Sequence, residues 1–273
     1  MQVDFFCPRW GFEHIAWDDF IDQVKQAGYK GVEWFPYSEE TDTQEIARKL
    51  RQNGLELAVV MTVTGTYINT AAYIDLLYTQ LTHHCQTARP LFISAQTGRE
   101  YFTEAEIELC LDCCQKVSNE TGIPIYQETH RNKWSFAAHA VLPVLKSHGQ
   151  VTLTFDVSHW FCVSESYLED QQDAVNMAIE KARHIHARIG HTQGPQVLDP
   201  ALPQYAEALK QHLKIWDRWV SQRRASGAQS CTISPEFGPP PYLTQSGYNG
   251  PAYAEQWRLN LWMKDLLHKR YNV

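Results

Sequence analysis

The chain has 273 residues, of which 44% are hydrophobic and 20% charged, and its formal net charge is −7. An acidic chain without a concentrated Lys/Arg run is a poor nucleic-acid binder, because contact with a phosphate backbone requires a basic footprint. No stretch approaches the roughly 18 consecutive apolar residues of a membrane span, so we expect no membrane partner. The length fits one core, since α/β barrels of about 250 residues commonly fold as one domain. We therefore predict a single domain over residues 1–273 that acts on a small molecule.

The seven cysteines are an odd number without the spacing of a small disulfide scaffold, which is typical of a reducing cytoplasm. The first residues, MQVDFFCPRW, contain no basic segment followed by an apolar run, so we expect no signal peptide. Cys110, Cys113 and Cys114 share one face of a helical pattern, which favours a buried apolar stripe over a zinc or redox site. These features predict a cytoplasmic protein, and the sequence is compatible with a homo-oligomer.

Apolar segments of strand length alternate with longer helical patterns along the whole chain. The predicted strands are residues 3–7, 31–35, 55–63, 90–96, 123–128, 151–157, 184–189 and 231–237. Each is followed by a helical pattern, and several helices end in glycine, as C-terminal caps do. Eight such units predict a closed (β/α)₈ barrel of α/β class. The alternative is an open doubly wound sheet, but CPRWGF after the first strand is not the glycine-rich phosphate loop of that fold.

Potential metal ligands stand at the ends of the last four predicted strands. Active sites of (β/α)₈ barrels lie where strands end and loops begin, so these side chains are expected to meet at one mouth. Buried carboxylates without compensating charge are costly, and the set therefore requires a cation. An oxygen-rich set with one imidazole suits a single Mn²⁺, Mg²⁺, Co²⁺ or Zn²⁺ ion. The four predicted ligands are Glu128, Asp156, His186 and Glu236.

The seventh predicted strand is the start of a polar segment, HIHARIGH. Alternate side chains of a strand point the same way, so His184, His186 and Arg188 share one face. With that face inward, His186 is the ligand and Arg188 lies above it towards substrate. His184 is then a hydrogen-bonded histidine inside the barrel, and His191 a loop residue near the site.

Other side chains just beyond the strand ends are candidates for substrate contact. His159 and Asp156 are three residues apart, so both reach the mouth only if the sixth strand ends near Val157. Glu33 ends the second strand and either hydrogen-bonds substrate or forms an ion pair with a neighbouring strand. The predicted substrate contacts are His159, Arg131, Arg188, His191, Trp134 and Trp160. An ordinary solvated position in a loop explains the arginines equally well. Packing beneath the loops explains the tryptophans equally well.

Residues 237–254, FGPPPYLTQSGYNGPAYA, form a long segment rich in Pro, Gly and Tyr without a helical pattern. Loops of this length inside a compact domain are usually functional. We expect this loop to cover part of the barrel mouth, with Tyr242 or Tyr248 near the substrate.

Five segments carry a resemblance to a known group of proteins. In them the sequence resembles the xylose-isomerase-like TIM-barrel superfamily, and within it a bacterial branch of sugar phosphate isomerases and epimerases. The resemblance runs through essentially the whole chain. The segments are GYKGVEWF (28–35), QETHRNKW (127–134), FDVSHWFCV (155–163), HIHARIGHTQGPQV (184–197) and SPEFGPPPY (234–242).

The resemblance implies the same four metal ligands. It also implies that Glu128 and Glu236 act as acid and base and that His159 binds substrate, as in ketose 3-epimerases. Where those epimerases have an acidic residue and an arginine after the seventh strand, this chain has Ile189 and Thr192. The extra histidines of the three-metal apurinic endonucleases, which share the barrel, are missing.

The sequence thus predicts a divalent-metal-dependent isomerase or epimerase of a sugar or sugar derivative. One glutamate would remove a proton next to a carbonyl and the other would return it, through a metal-bound enediolate. Loss of a β-hydroxyl would instead give dehydration, so a lyase or dehydratase acting on a keto-sugar or inosose is the alternative. A barrel that binds sugar without turnover is disfavoured, because binding alone does not require two metal-bound carboxylates.

Overall fold

Eight parallel strands close into a barrel in which neighbours in the chain are neighbours in the sheet and β1 pairs with β8. The computed structural model describes residues 1–243 and 251–272. The strands are β1 (Gln2–Pro8), β2 (Gly31–Trp34), β3 (Glu56–Thr62), β4 (Phe92–Gln96), β5 (Ile125–Glu128), β6 (Leu153–Phe155), β7 (Ala182–His186) and β8 (Ser230–Ser234). The predicted (β/α)₈ barrel is thereby confirmed.

Helices connect the strands and cover the barrel. They are α1 (Trp17–Gln26), α2 (Thr43–Gln52), α3 (Thr70–Thr87), α4 (Glu104–Thr121), α5 (Ala138–Ser147), α6 (Val157–Ser164), α7 (Gln172–Lys181), α8 (Ala206–Ala225) and α9 (Ala252–Tyr271). Local sequence sets their ends: Thr103 and Glu106 form a capping box at the start of α4, and Gly122 ends it at φ 73°. In the described part of the chain, no helix has the length and apolarity needed to cross a bilayer.

Strands β6 and β8 are among those that end earlier than the sequence predicts, and the reasons for these two are identifiable. β6 ends at Phe155 because Asp156 caps a helix, its carboxylate accepting a hydrogen bond from Ser158 N at 2.9 Å. β8 ends at Ser234 because Pro235 has no N–H for the ladder. The extra helix α6 places His159 in its first turn.

The interior of the barrel contains a polar layer. His184 Nδ1 lies 2.8 Å from Thr232 Oγ1, and Ser94 Oγ donates to Thr154 Oγ1 at 2.8 Å. The aromatic ring of Phe92 packs against His184 with 4.8 Å between ring centroids. All but Thr232 of these side chains are buried, so hydrogen bonds between strands hold the floor of the barrel mouth in place.

The cysteines of α4 lie in the apolar layer between helix and barrel. Cys110, Cys113 and Cys114 are free thiols and all three are buried. Burial raises the pKa of Cys110 to about 12 and that of Cys113 to about 11. The predicted buried stripe is confirmed, and thiols held in this form are poor nucleophiles.

Gly31 opens β2 where two neighbouring strands come very close. A Cβ atom on Gly31 would lie 2.5 Å from the backbone oxygen of Glu56 and 2.6 Å from a ring carbon of Phe6. A side chain there forces two strands of the barrel apart. Gly149 differs, because a Cβ atom there would have nothing within 4 Å.

Gly31→Ala is therefore expected to lower the free energy of unfolding by about 1–3 kcal/mol, the usual cost of overpacking. The matched change Gly149→Ala is expected to leave it within about 0.5 kcal/mol, as surface substitutions do. Urea unfolding of both variants measures the difference. Equal midpoints would show that the barrel accommodates the methyl group without cost.

Candidate functional site

A cavity of about 230 Å³ lies at the carboxyl ends of the strands. Its wall comes from the ends of β1 to β5 and from the loops after β1, β2, β5, β7 and β8. The lining residues are Pro8, Trp10, Glu33, Phe35, Val60, Thr62, Gln96, Glu128, His130, Arg188, Glu236 and Tyr242. Drug-sized sites occupy roughly 300–1,000 Å³, so this cavity suits one small molecule.

Three of the four predicted metal ligands meet at the floor of this cavity. Each of Glu128, His186 and Glu236 offers one ligand atom within 4.8 Å of the others. His186 Nδ1 lies 3.2 Å from Glu236 Oε2 and 3.6 Å from Glu128 Oε1. All three side chains are buried. Two carboxylates and an imidazole placed this close together could hold a divalent metal ion.

A third acidic residue, Glu33, fixes the orientation of this imidazole. Glu33 Oε1 lies 3.0 Å from His186 Nε2 and 3.4 Å from His184 Nε2. The sequence left open whether Glu33 contacts substrate or pairs with a neighbouring strand. The structure pairs it with His184 and His186 of β7, across the barrel from β2, and Glu33 also lines the cavity. Within the described residues, His186 Nδ1 makes no hydrogen bond although it is buried. A carboxylate behind a histidine, with the other ring nitrogen left free, is the usual environment of a metal-bound imidazole.

The charges of this cluster act strongly on one another. Burial disfavours the imidazolium form, but the surrounding carboxylates hold the pKa of His186 well above its ordinary value. Burial raises the pKa of Glu236. Burial also acts on Glu128, yet the neighbouring His186 holds the pKa of that carboxyl below its ordinary value. The pKa values of the two carboxyls are thus displaced in opposite directions.

Asp156 is the predicted ligand that the structure does not bring into the cluster. Its Oδ2 accepts a hydrogen bond from Arg188 Nη2 at 2.6 Å, and Oδ1 accepts from Ser158 N. Arg188 was predicted to lie above His186 towards substrate. It does line the cavity, but its guanidinium is only 2% exposed and pairs inside the protein.

His159 lies behind the cavity wall, in the first turn of α6. Its Nε2 accepts from Arg188 Nη2 at 2.7 Å, and its ring packs on His130 with 4.1 Å between centroids. Burial lowers the pKa of His159 well below its ordinary value, so the ring is neutral. His130, which was not among the predicted contacts, does line the cavity. The alternation of Glu128 and His130 beyond the end of β5 was the available signal.

Polar residues at the ends of β3 and β4 were also missed. Gln96 Nε2 donates to Glu128 Oε2 at 3.0 Å and so orients that carboxylate. Thr62 accepts a hydrogen bond from Lys133 Nζ at 2.6 Å. Burial, followed by the charge of Arg99, lowers the pKa of Lys133 to about 8. The sequence signal for these contacts was an uncharged polar residue at the end of each apolar strand pattern.

Tyr242 covers one side of the mouth. Its ring lies 5.2 Å from the guanidinium of Arg131 and 4.9 Å from that of Arg188, and Arg131 Nη2 donates to its hydroxyl at 3.0 Å. The ring of Trp10 meets it edge-on at 5.3 Å. Tyr242 therefore lies where the long loop was expected to reach, whereas Tyr248 lies outside the described residues.

Three predicted substrate contacts lie elsewhere. Trp134 and Trp160 are buried, and their indole N–H groups donate to a side-chain amide and a backbone carbonyl. His191 bonds through its backbone to Gly194 and its ring stacks on Tyr205 at 6.1 Å. None of the three lines the cavity. For the tryptophans, these contacts agree with packing beneath the loops, the reading that the sequence had left open.

No protein-family model and no curated protein matches this sequence. Solved structures do match it over nearly its full length. The IolI protein with a bound zinc atom superposes with a TM-score of 0.65 at 12% identity, covering 99% of both chains. D-psicose 3-epimerase in the presence of D-fructose gives 0.63 at 14% identity, covering 98% of both chains.

A probable 3-DHS dehydratase of Bacillus anthracis, AsbF, gives a TM-score of 0.61 at 18% identity and covers 98% of this chain and 99% of its own. The matching structures include two that are described as xylose-isomerase-like proteins. At such low identities the likeness concerns the fold. This chain has the xylose-isomerase-like TIM-barrel fold.

Proposed function

We propose that this protein is a divalent-metal-dependent isomerase or epimerase of a sugar or sugar derivative. The observation that carries the proposal is the buried cluster of Glu128, His186 and Glu236 at the floor of the cavity. Structures of the same fold support it, since one holds zinc, another is a complex with magnesium, and others are sugar epimerases.

Glu128, His186 and Glu236 would hold the metal. The fit rests on the unpartnered Nδ1 atom of His186, which lies between the two carboxylates. When bound, a divalent ion polarises a substrate carbonyl and makes the proton on the neighbouring carbon more acidic. Mn²⁺, Mg²⁺, Co²⁺ and Zn²⁺ all suit this donor set.

The two glutamates divide the proton transfers. Glu128, whose pKa is lowered and whose carboxylate is oriented by Gln96, is the base that removes the proton. Glu236, whose pKa is raised by burial, is the acid that returns one. Return to the same carbon gives epimerisation, and return to the neighbouring carbon gives isomerisation.

The cavity wall suits a small polyhydroxylated substrate. Trp10 and Tyr242 present aromatic surface to the C–H groups of a sugar, and Thr62 and Gln96 present hydrogen-bonding groups. Arg188 provides a fixed positive charge on the same wall. His159 and Arg131 act from behind it, through their contacts with Arg188 and Tyr242.

Dehydration of a keto-sugar or inosose is the second candidate. It begins with the same proton removal and ends with loss of a β-hydroxyl as water. The likeness of the fold to that of a probable 3-DHS dehydratase supports it.

Glu128→Gln and Glu236→Gln are each expected to lower turnover by at least about 10²-fold, because each removes a general acid or base. Glu56→Gln is the matched control, since Glu56 is exposed at the opposite end of the barrel. Ketoses, aldoses, inososes and keto-sugars are screened by NMR in D₂O, where the reacting carbon should acquire deuterium. Conversion without deuterium would contradict the acid and base roles and indicate a hydride shift.

Glu33→Gln is expected to weaken metal binding by about 10–100-fold, the usual effect of losing a carboxylate behind a metal-bound histidine. Calorimetric titration with Mn²⁺ measures the affinity, and Glu56→Gln again serves as the control. Elemental analysis of protein purified without chelator should find about one metal ion per chain. Unchanged affinity in Glu33→Gln would show that Glu33 does not orient His186.

Abasic-site DNA is expected not to be cleaved, although one apurinic endonuclease shares the fold. The net charge of −7 opposes approach of a phosphate backbone. A nicking assay on an abasic duplex with added Mn²⁺ or Zn²⁺ tests this. Nicking that disappears in Glu236→Gln would instead assign a nuclease to the same site.

A further inference from the structure

A buried lysine lies one hydrogen bond from the cavity. Lys133 belongs to the loop after β5, and only 8% of the residue is exposed. Its Nζ donates to Thr62 Oγ1 at 2.6 Å, and Thr62 ends β3 and lines the cavity wall. An oxygen atom of a bound molecule that is seated against Thr62 is therefore within reach of the ammonium group.

The protein leaves most of this ammonium group unsatisfied. A lysine ammonium has three N–H donors. Within residues 1–243 and 251–272, Thr62 is the one acceptor that Nζ contacts, and no carboxylate forms an ion pair with it. The Thr62 hydroxyl in turn donates to the backbone oxygen of Gln96 at 3.2 Å, which holds it in place. A buried charge without an acidic partner is unfavourable, and a bound anion would relieve that cost.

Arg99, in the loop after β4, adds a second positive charge. This loop packs on the loop after β5 through a backbone hydrogen bond of 3.4 Å. Burial, followed by the charge of Arg99, lowers the pKa of Lys133 to about 8, so the amine stays mostly protonated at neutral pH. Arg99 Nε is itself buried and has no hydrogen-bond partner in the described part of the chain, with Glu100 Oε2 4.0 Å away. Two neighbouring cations with free donors suit an oxyanion, which accepts strong hydrogen bonds from charged donors.

The other buried cation of the cavity wall, Arg188, lies on the far side. Arg188 follows β7, and in the closed order of eight strands β7 lies opposite β3, which carries Thr62. A substrate that reacts at the floor of the cavity and extends towards Thr62 therefore points away from Arg188. Its far end then meets Lys133.

We propose that Lys133 binds an oxyanion of the substrate, a carboxylate or a phosphate, seated against Thr62. The substrate is thus an acidic sugar derivative and not a neutral sugar. This proposal rests on the proposed function, because it names the substrate class of the same site. A neutral hydroxyl would accept one N–H of the ammonium group, but only an oxyanion also balances its charge.

Three ketoses that differ at the sixth carbon test the proposal. D-fructose, D-fructuronate and D-fructose 6-phosphate carry a hydroxyl, a carboxylate and a phosphate there. Calorimetric titration of the full chain with Mn²⁺ added should show one anion binding about 10–100-fold more tightly than D-fructose, the usual effect of a hydrogen bond to a charged group. The tighter of the two anions identifies the group. Equal affinities, or no measurable binding of either anion, would overturn the proposal.

Lys133→Met removes the charge and keeps the length of the side chain. It should bring the affinities for the three ketoses to within about twofold of one another, the error of independent effects. Lys30→Met is the matched control, since Lys30 is exposed before β2 at the opposite end of the barrel, and it should keep the preference of the wild type. Thermal unfolding checks that both variants are folded. A preference for the anion that persists in Lys133→Met would show that the metal holds it, and would overturn the proposal.

The proposed function has separate readouts. Deuterium uptake from D₂O into D-fructose, without tighter binding of either anion, would overturn the oxyanion site and leave the isomerase or epimerase in place. Failure of the wild type to bind any divalent ion would overturn the proposed function. An anion preference that Lys133→Met abolishes would still establish the oxyanion site in that case.

Discussion

The imidazole of His186 lies between carboxylates on both of its ring nitrogens, and the geometry of the site depends on it. Glu33 meets Nε2 at 3.0 Å, while Glu236 and Glu128 lie 3.2 and 3.6 Å from Nδ1. A single ring thus links carboxylates from β2, β5 and the loop after β8. Such a concentration of buried negative charge is unfavourable unless a cation compensates it. A proton on His186 and the guanidinium of Arg188 are the cations that the protein itself supplies.

The polar layer beneath this ring gives it a fixed position. His184 contacts Thr232 through one nitrogen and lies near Glu33 through the other. These contacts join β7 to β8 and β2, so rotation of either histidine disturbs three strands of the barrel. An apolar interior would pack as densely, but it could not fix which nitrogen of His186 faces the carboxylates. The polar groups inside the barrel therefore join its strands and at the same time fix the geometry of the site.

Aromatic and cationic side chains, in place of carboxylates and histidines, form the upper wall of the cavity. Tyr242 is enclosed by two guanidinium groups and the edge of Trp10, so aromatic and cationic surfaces hold the start of the loop after β8, up to Leu243, over the mouth. Gly238 allows this closure, because a Cβ atom there would lie 2.3 Å from the ring of Trp10. The first part of the loop is thereby packed on the site that it covers.

The fold was predictable from the sequence because it depends on local periodicity. Alternating strand and helix patterns predicted eight units, and Gly122 marked the end of α4. The ends of the strands were harder to predict, because Asp156 and Pro235 end β6 and β8 through local effects. These effects compete with the apolar patterns that would otherwise extend the strands. The positions of Glu128, His186 and Glu236 near one mouth followed from the rule that strand ends converge in a barrel.

The sequence by itself therefore determined the barrel and several of the charged groups near its mouth, but not His130, Gln96 or Thr62. Only the tertiary structure decided which of these groups pair. Glu33 meets His186 across 153 residues of chain, and Asp156 meets Arg188 across 32. The physical reason is that a buried carboxylate has several cations within reach, and the choice among them depends on side-chain rotation and packing in three dimensions. Local sequence patterns carry no information about which of these cations the carboxylate pairs with.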